Sequence, residues 1–211
     1  MADAPPFPPN PDVAIDSAER VWSGRFPLDV VRFRHRRFDG TMSGDRVWEV
    51  WRRGRAAAVL PYDPVRDVVV LIEQFRLPAL AAGIDPMMIE LPAGLCDGKE
   101  PPEDTAHREL EEEMGLVADR LERIGDVLLT PGGADEYCRM FVGRVRAPEA
   151  GPDGIAGVAG MATEHEDIRL HVWPAGDAEA AAISGRFANS VTVIGLLWLA
   201  LRRAELRKNW T

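Results

Sequence analysis

Cysteine is scarce: Cys96 and Cys138 are the only two among 211 residues, too few for a disulfide framework. The first residues carry neither the basic nor the apolar stretch of a secretion signal, so a cytoplasmic protein with reduced thiols is expected. Long apolar runs are also missing. The longest, Val191 to Leu201, is about half of the ~20 residues that a membrane span needs and leads straight into Arg202 and Arg203. It reads as a core helix, and no membrane partner is expected. Positive charge is in deficit, with 25 Lys and Arg against 34 Asp and Glu and a net charge of −9. Phosphate backbones need a basic footprint, so no nucleic-acid partner is expected, and a small anionic ligand would need a local cationic clamp. There is no internal repeat and no long linker.

What is present, 46% hydrophobic and 28% charged residues, suits one globular domain with room for a small extra module. Residues 1–12 are proline-rich without apolar periodicity and are expected to form a disordered tail. Over residues 13–52, the β-favouring runs D-V-V-R-F-R-H-R-R-F and R-V-W-E-V-W, with Asp39-Gly40 as a turn, predict an antiparallel N-terminal β element. The main domain is then 53–206, followed by a short tail at 207–211. Within it, Ala56 to Leu60 and Val68 to Phe75 flank the turn P-Y-D-P-V-R-D as a hairpin apolar enough to sit centrally in a sheet. Asn189-Ser190 caps a strongly apolar helix that should pack on that sheet.

Gly94 to Leu116 reads G-L-C-D-G-K-E-P-P-E-D-T-A-H-R-E-L-E-E-E-M-G-L. Pro101 and Pro102 suit a helical first turn, Glu103 and Asp104 complement its dipole, and Gly115 supplies the stop. At ~100° per residue, Ala106, Leu110 and Met114 share one face, and Glu109, Glu112 and Glu113 converge on a neighbouring arc. A bare E-L-E-E-E helix would usually be a solvated charged face. Here Gly94, Glu100, Arg108, Glu109, Leu110, Glu112, Glu113, Gly115 and Leu116 match every specified position of the box G-x5-E-x7-R-E-U-x-E-E-x-G-U, U being a bulky aliphatic residue. On this box the chain resembles the Nudix hydrolase family.

The resemblance implies an α/β fold, the Nudix α/β/α sandwich with a mixed sheet, with the N-terminal antiparallel β element added. It also supplies the cation that the carboxylates lack. Mg²⁺, with Mn²⁺ as a substitute, prefers oxygen ligands and bridges to substrate phosphates. Glu109, Glu112 and Glu113 are the expected carboxylate ligands, with the carbonyl of Ala93 as a further ligand by resemblance. Arg108 is expected to orient the carboxylates, and Glu100 to brace the loop onto the helix.

Three further segments resemble the ADP-ribose pyrophosphatase branch: Val70 to Arg76, Thr130 to Glu136, and Gly160 to Arg169. Alone, Arg76 reads more readily as a surface strand end; in this company it is expected to clamp a diphosphate by paired hydrogen bonds. Pro131-Gly132-Gly133 reads either as a turn or as a loop shaped for a ribose, its adjacent glycines allowing a backbone that side chains would block. Gly132, Gly133 and Glu136 are accordingly candidate substrate-binding residues. In the acidic loop, the resemblance gives Glu164 as the general base and Glu166 as another metal ligand, with Glu112 the next candidate base; His165 reads as a loop side chain.

The N-terminal element is exchanged between subunits in that branch, which implies a homodimer. Trp48 and Trp51 are candidates to stack on adenine, although dimer core is their simpler role, and Phe33 and Arg34 stay unassigned. The expected function is Mg²⁺-dependent hydrolysis of a nucleotide-sugar substrate, ADP-ribose, to AMP and ribose 5-phosphate. GDP-mannose or another nucleotide sugar is the alternative. A non-catalytic ADP-ribose-binding regulator is a distant third, because every box carboxylate is intact.

Overall fold

The computed structural model describes residues 7–161 and 166–211; of the tail expected at 1–12, residues 1–6 lie outside that range. Asp12 is already tied down. Its carbonyl accepts the Arg36 N–H at 2.8 Å and its carboxylate accepts Arg36 Nε at 2.7 Å. Bulky residues alternating with charged ones then form β1 (Val13–Trp22), β2 (Leu28–His35) and β3 (Arg46–Trp51), a three-stranded antiparallel sheet in that order. Its buried acid, Asp29, is held between Arg20 at 3.0 Å and Arg52 at 3.6 Å.

The chain forms two compact units. One ends at Gly54 and takes in Leu128–Tyr137; the other comprises Arg55–Val127 and Cys138–Thr211. In the second unit β4 (Arg55–Asp63) and β5 (Val68–Phe75) form the expected hairpin, paired directly at Tyr62↔Val69 and Asp63↔Val68. After the short α1 (Leu77–Ala81), β6 (Met87–Glu90) pairs with β5 and β7 (Ala93–Leu95) with β4. The loop and α2 (Pro102–Met114) lead into β8 (Arg120–Leu128), β9 (Tyr137–Arg144), β10 (Ile155–Ala159) and β11 (Ile168–Pro174), then α3 (Ala175–Ile183) and α4 (Ser190–Trp210). The strands run β10-β11-β5-β4-β9-β8, with β6 and β7 completing an eight-stranded sheet.

Strand alternation decides which helix covers which face. Ala57, Val59, Val70, Ile72 and Phe141 pack with Ala106, Leu110 and Met114 of α2. Leu60 and Met140, their immediate neighbours in sequence, point the other way, to α4. There a Cβ on Gly195 would lie 2.9 Å from Leu91 Cδ1 and 3.7 Å from Met140 Cε. Helices on both faces make the expected α/β/α sandwich. α4 is anchored twice. Arg203 and Arg207 reach Asp67, which also accepts the buried Tyr62 hydroxyl at 2.8 Å. At its other end Asn189 Oδ1 accepts the Thr192 N–H at 3.0 Å.

The expected C-terminal tail is corrected: α4 continues through it to Trp210, a residue only 3% exposed, whose carbonyl accepts Arg144 Nη1 at 2.9 Å. The charged stretch Arg-Lys-Asn hides an aromatic anchor that pays off only against a distant strand. Among the described residues, no helix is long and apolar enough to cross a membrane.

Candidate active site

α2 brings the box carboxylates to the sheet. Pro102 opens it, Glu103 and Asp104 sit in its first turn, and Gly115 ends it in the left-handed region at φ 64°. Leu110 and Met114 dock on the core, and that docking carries Glu109 and Glu113 inward, where they are 8% and 3% exposed. Gly94 on β7 is what lets Glu109 fit. A Cβ there would fall 1.7 Å from Glu109 Oε1, so this carboxylate lies against bare backbone. One residue earlier, the Ala93 N–H donates to Glu113 Oε2 at 3.1 Å.

Arg108 organises the remaining acids. Its Nη1 donates to both Glu109 Oε1 and Glu112 Oε2 at 2.8 Å, its Nη2 reaches the Leu95 carbonyl at 3.1 Å, and its Nε meets Glu100 at 3.2 Å. Glu100 also accepts from Thr105 Oγ1 at 2.8 Å and from the Asp97 N–H at 3.1 Å. The Arg108 hydrogen bond first, then these two, hold the Glu100 carboxyl down at about 2. It is the brace between loop and helix that its position in the box suggested.

Glu109 and Glu113 behave in the opposite sense. Burial pushes the Glu109 carboxyl up to about 7 against the pull of Arg108, and Glu112 adds to the rise. Burial pushes Glu113 up to about 9, reinforced by Glu109 and Glu166 and opposed by the Ala93 N–H and Arg76. Glu166 is thus close enough to be felt by both; its own carboxylate accepts the Met161 N–H at 3.1 Å. Glu164 and His165 lie outside the described residues. As they stand, no three His, Cys, Asp or Glu side chains among the described residues form a ready cation cage. Arg108 instead bridges Glu109 and Glu112. The donor chemistry nevertheless fits a hard divalent cation: clustered carboxylate oxygens, two of them desolvated and short of positive charge.

Arg76 ends β5. Its Nε and Nη2 each lie 2.8 Å from Glu90 Oε2, yet the side chain is 43% exposed. Glu90 was not singled out from the sequence, because the pairing joins strands 14 residues apart. The β5–β6 register sets Ile72, not Arg76, opposite Glu90, and the long arginine side chain reaches back along the strand to it.

The remaining candidates lie in the N-terminal unit. Trp48, 53% exposed, lines with Val47, Gly132 and Gly133 an open cavity of about 490 Å³. Trp51 is committed elsewhere, edge-on to Phe26 at 5.9 Å and beneath the Arg53 guanidinium at 4.8 Å. Arg53, also missed from the sequence, stacks on Phe26 at 3.9 Å and holds Glu136 through two hydrogen bonds of 3.1 and 3.2 Å. The reason given for the two glycines needs correcting. Neither Gly132 nor Gly133 has positive φ, and nothing lies within 4 Å of a Cβ on either. Their contribution is bare backbone beside Trp48, with the Gly133 carbonyl accepting the Trp51 N–H at 2.8 Å.

Comparison with known proteins decides the family. The NUDIX domain matches residues 52–184. The chain belongs to the Nudix family. It is 42% identical over 199 residues to the ADP-ribose pyrophosphatase of Escherichia coli strain K12, covering 94% of this chain and 93% of the relative. With the GDP-mannose pyrophosphatase of Yersinia enterocolitica (serotype O:8 / biotype 1B) it shares 31% identity over 157 residues, 74% of this chain and 78% of that one. Among solved structures, an ADP compounds hydrolase superposes with a TM-score of 0.66 at 21% identity, covering 94% of this chain and 96% of its own. That likeness supports the Nudix fold.

Proposed function

We propose that this Nudix hydrolase of nucleoside diphosphate sugars acts on ADP-ribose, adding water across the diphosphate to give AMP and ribose 5-phosphate. The observation that carries the chemistry is the pair of desolvated carboxylates, Glu109 and Glu113, packed against the backbone of Ala93 and Gly94. The nucleotide is inferred from the likeness to the Escherichia coli ADP-ribose pyrophosphatase.

In this reading Glu109, Glu112, Glu113, Glu166 and the Ala93 carbonyl hold Mg²⁺, for which Mn²⁺ can substitute. Bound there, the cation would neutralise diphosphate charge and polarise water. Arg108 keeps Glu109 and Glu112 aligned, Arg76 clamps the diphosphate, and Glu164 accepts the proton of the attacking water. Trp48 offers its exposed face to adenine beside the Gly132-Gly133 backbone. Glu136, steadied by Arg53, accepts from ribose hydroxyls, whereas Trp51 serves as packing under Arg53. The domain assignment is a β element at 13–52 attached to a hydrolase domain at 53–206. The exposed Trp22, Val47 and Trp48 of the first support a homodimer formed through that sheet. Two cysteines, Cys96 and Cys138, too few for a disulfide framework, suit a reducing cytoplasm.

The likeness to a GDP-mannose pyrophosphatase sustains a second reading with the other nucleotide sugar. Ranking kcat/KM for ADP-ribose, other ADP-sugars, GDP-mannose, UDP-glucose and diadenosine polyphosphates separates the two. ADP-ribose should lead. GDP-mannose in first place would select the alternative, equal rates across bases would remove the adenine pocket, and no turnover with Mg²⁺ or Mn²⁺ would restore the binding-regulator reading.

A further inference from the structure

Glu90 is 5% exposed, an expensive place for a carboxylate, and its two oxygens face different partners. Oε2 takes Nε and Nη2 of Arg76, each at 2.8 Å, while Oε1 accepts from Asn189 Nδ2 at 2.8 Å. Asn189 is the N-cap of α4. Its Oδ1 accepts both the N–H and the Oγ1–H of Thr192, at 3.0 and 3.1 Å, and Thr192 Oγ1 in turn accepts the Leu91 N–H at 3.1 Å. The hydrogen bonds form a closed circuit: Arg76, Glu90, Asn189, Thr192, and back to the main chain at Leu91. Thr192 is wholly buried within it.

Three features set this circuit apart from a pair that merely stabilises the fold. A buried ion pair is often no better for stability than well-packed apolar residues of the same volume, so stability alone does not call for one here. The arginine is not itself buried: it keeps 43% of its side-chain surface just beyond the end of β5. And the contact occupies the Nε–Nη2 side of the guanidinium, so Nη1 makes no hydrogen bond among the described residues. A planar fork held on one side and open on the other is preorganised for bidentate contact with the oxygens of a diphosphate. A long side chain fixed before binding loses less entropy when the ligand arrives.

We infer that Glu90, held by Asn189 at the cap of α4, is a positioning residue that aims Arg76 at the diphosphate. The inference rests on the reading of Arg76 as the diphosphate clamp. Glu90 touches no reacting atom. The same cap also fixes Leu91, two residues before Ala93, so one helix terminus positions the guanidinium and steadies the strand that carries the proposed carbonyl ligand.

The test is a double-mutant cycle on the full-length enzyme with ADP-ribose and Mg²⁺, read as kcat/KM alongside melting temperature. Glu90→Gln, which keeps size and removes charge, should lower kcat/KM about tenfold in the wild-type background. In an Arg76→Ala background the same change should cost less than about twofold, because its target is gone. A full, additive tenfold loss in both backgrounds would overturn the positioning role while leaving the clamp intact. An Arg76→Ala enzyme with unchanged kcat/KM would overturn the clamp, and the inference with it. Should Glu90→Gln fail to fold, Asn189→Ser substitutes for it, since serine still caps α4 but lacks the amide nitrogen that reaches Glu90. It should lose about threefold in the wild-type background and nothing without Arg76; equal losses in both overturn the role.

Discussion

Replacing Glu113 by glutamine should make the metal-free protein more stable at alkaline pH while abolishing its response to metal. Burial, with Glu109 and Glu166 nearby, raises the folded-state carboxyl from 4.5 to about 9. Over the interval between those values the folded protein keeps a proton that the unfolded chain has lost. Stability from this group is therefore complete below the unfolded carboxylate range and is lost as pH rises towards the folded value. One retained proton corresponds to about 1.4 kcal/mol per pH unit, so about 4 kcal/mol disappears between about pH 5 and pH 8. Glutamine cannot ionise, occupies the same volume, and can still accept the Ala93 N–H. Metal-free Glu113→Gln should match the wild type at about pH 5 and exceed it at about pH 8, by roughly 10 °C in melting temperature for a chain of this size. Thermal denaturation in chelator measures this across pH. Adding Mg²⁺ should then raise the wild-type midpoint and leave the variant unmoved. A wild-type stability that is flat across this pH range, or a variant that is less stable than wild type at its upper end, would refute the electrostatic argument.

Other perturbations probe the neighbouring parts. Gly94→Ala places a Cβ where Glu109 Oε1 now sits, so kcat should fall about a hundredfold through a displaced ligand, with circular dichroism unchanged; near-normal turnover would mean that Glu109 has room to spare. Arg76→Lys should lower kcat/KM for ADP-ribose about tenfold, because a point charge cannot reproduce the fork; unchanged turnover would return Arg76 to the surface. Glu164→Gln should depress kcat with the metal requirement unaltered and flatten the acidic limb of the pH profile, whereas Glu166→Gln should raise the Mg²⁺ concentration for half-maximal rate about tenfold. The reverse pattern would exchange the two roles.

How much was legible follows from how local each signal is. The hairpin of β4 and β5, the start and stop of α2, and the cap of α4 were readable because each is specified by adjacent residues: a turn sequence, two prolines and a glycine, an asparagine before an apolar run. The short α1 and α3 were not, since Leu77–Ala81 is too brief to show a period and Ala175–Ile183 is an alanine-rich run without a distinct apolar stripe. The box was legible for the same reason as α2. Its carboxylate spacing is helical spacing, and burial of Glu109 and Glu113 follows from packing of Leu110 and Met114 on the sheet.

The site residues that escaped detection share the opposite property. Glu90 meets Arg76 only after β6 pairs with β5 and the arginine reaches back along it, and Asn189 meets Glu90 across 99 residues of chain. Arg53 meets Glu136 across 83, and its guanidinium lies over both Phe26 and Trp51 of the N-terminal element. In both cases the residue that was singled out, Arg76 or Glu136, is half of an ion pair whose second half carries no motif of its own. A sequence motif names the groups that face a ligand; what holds them in place is whatever charge the fold delivers behind them. Asn189 illustrates the point most sharply. Read along the chain it is a helix cap and nothing more, and it remains one, with Oδ1 on the Thr192 N–H. Its amide nitrogen, with no role in capping, is the atom that reaches Glu90. One side chain thus joins the ordinary requirement of starting a helix to the aim of an arginine beside the box carboxylates.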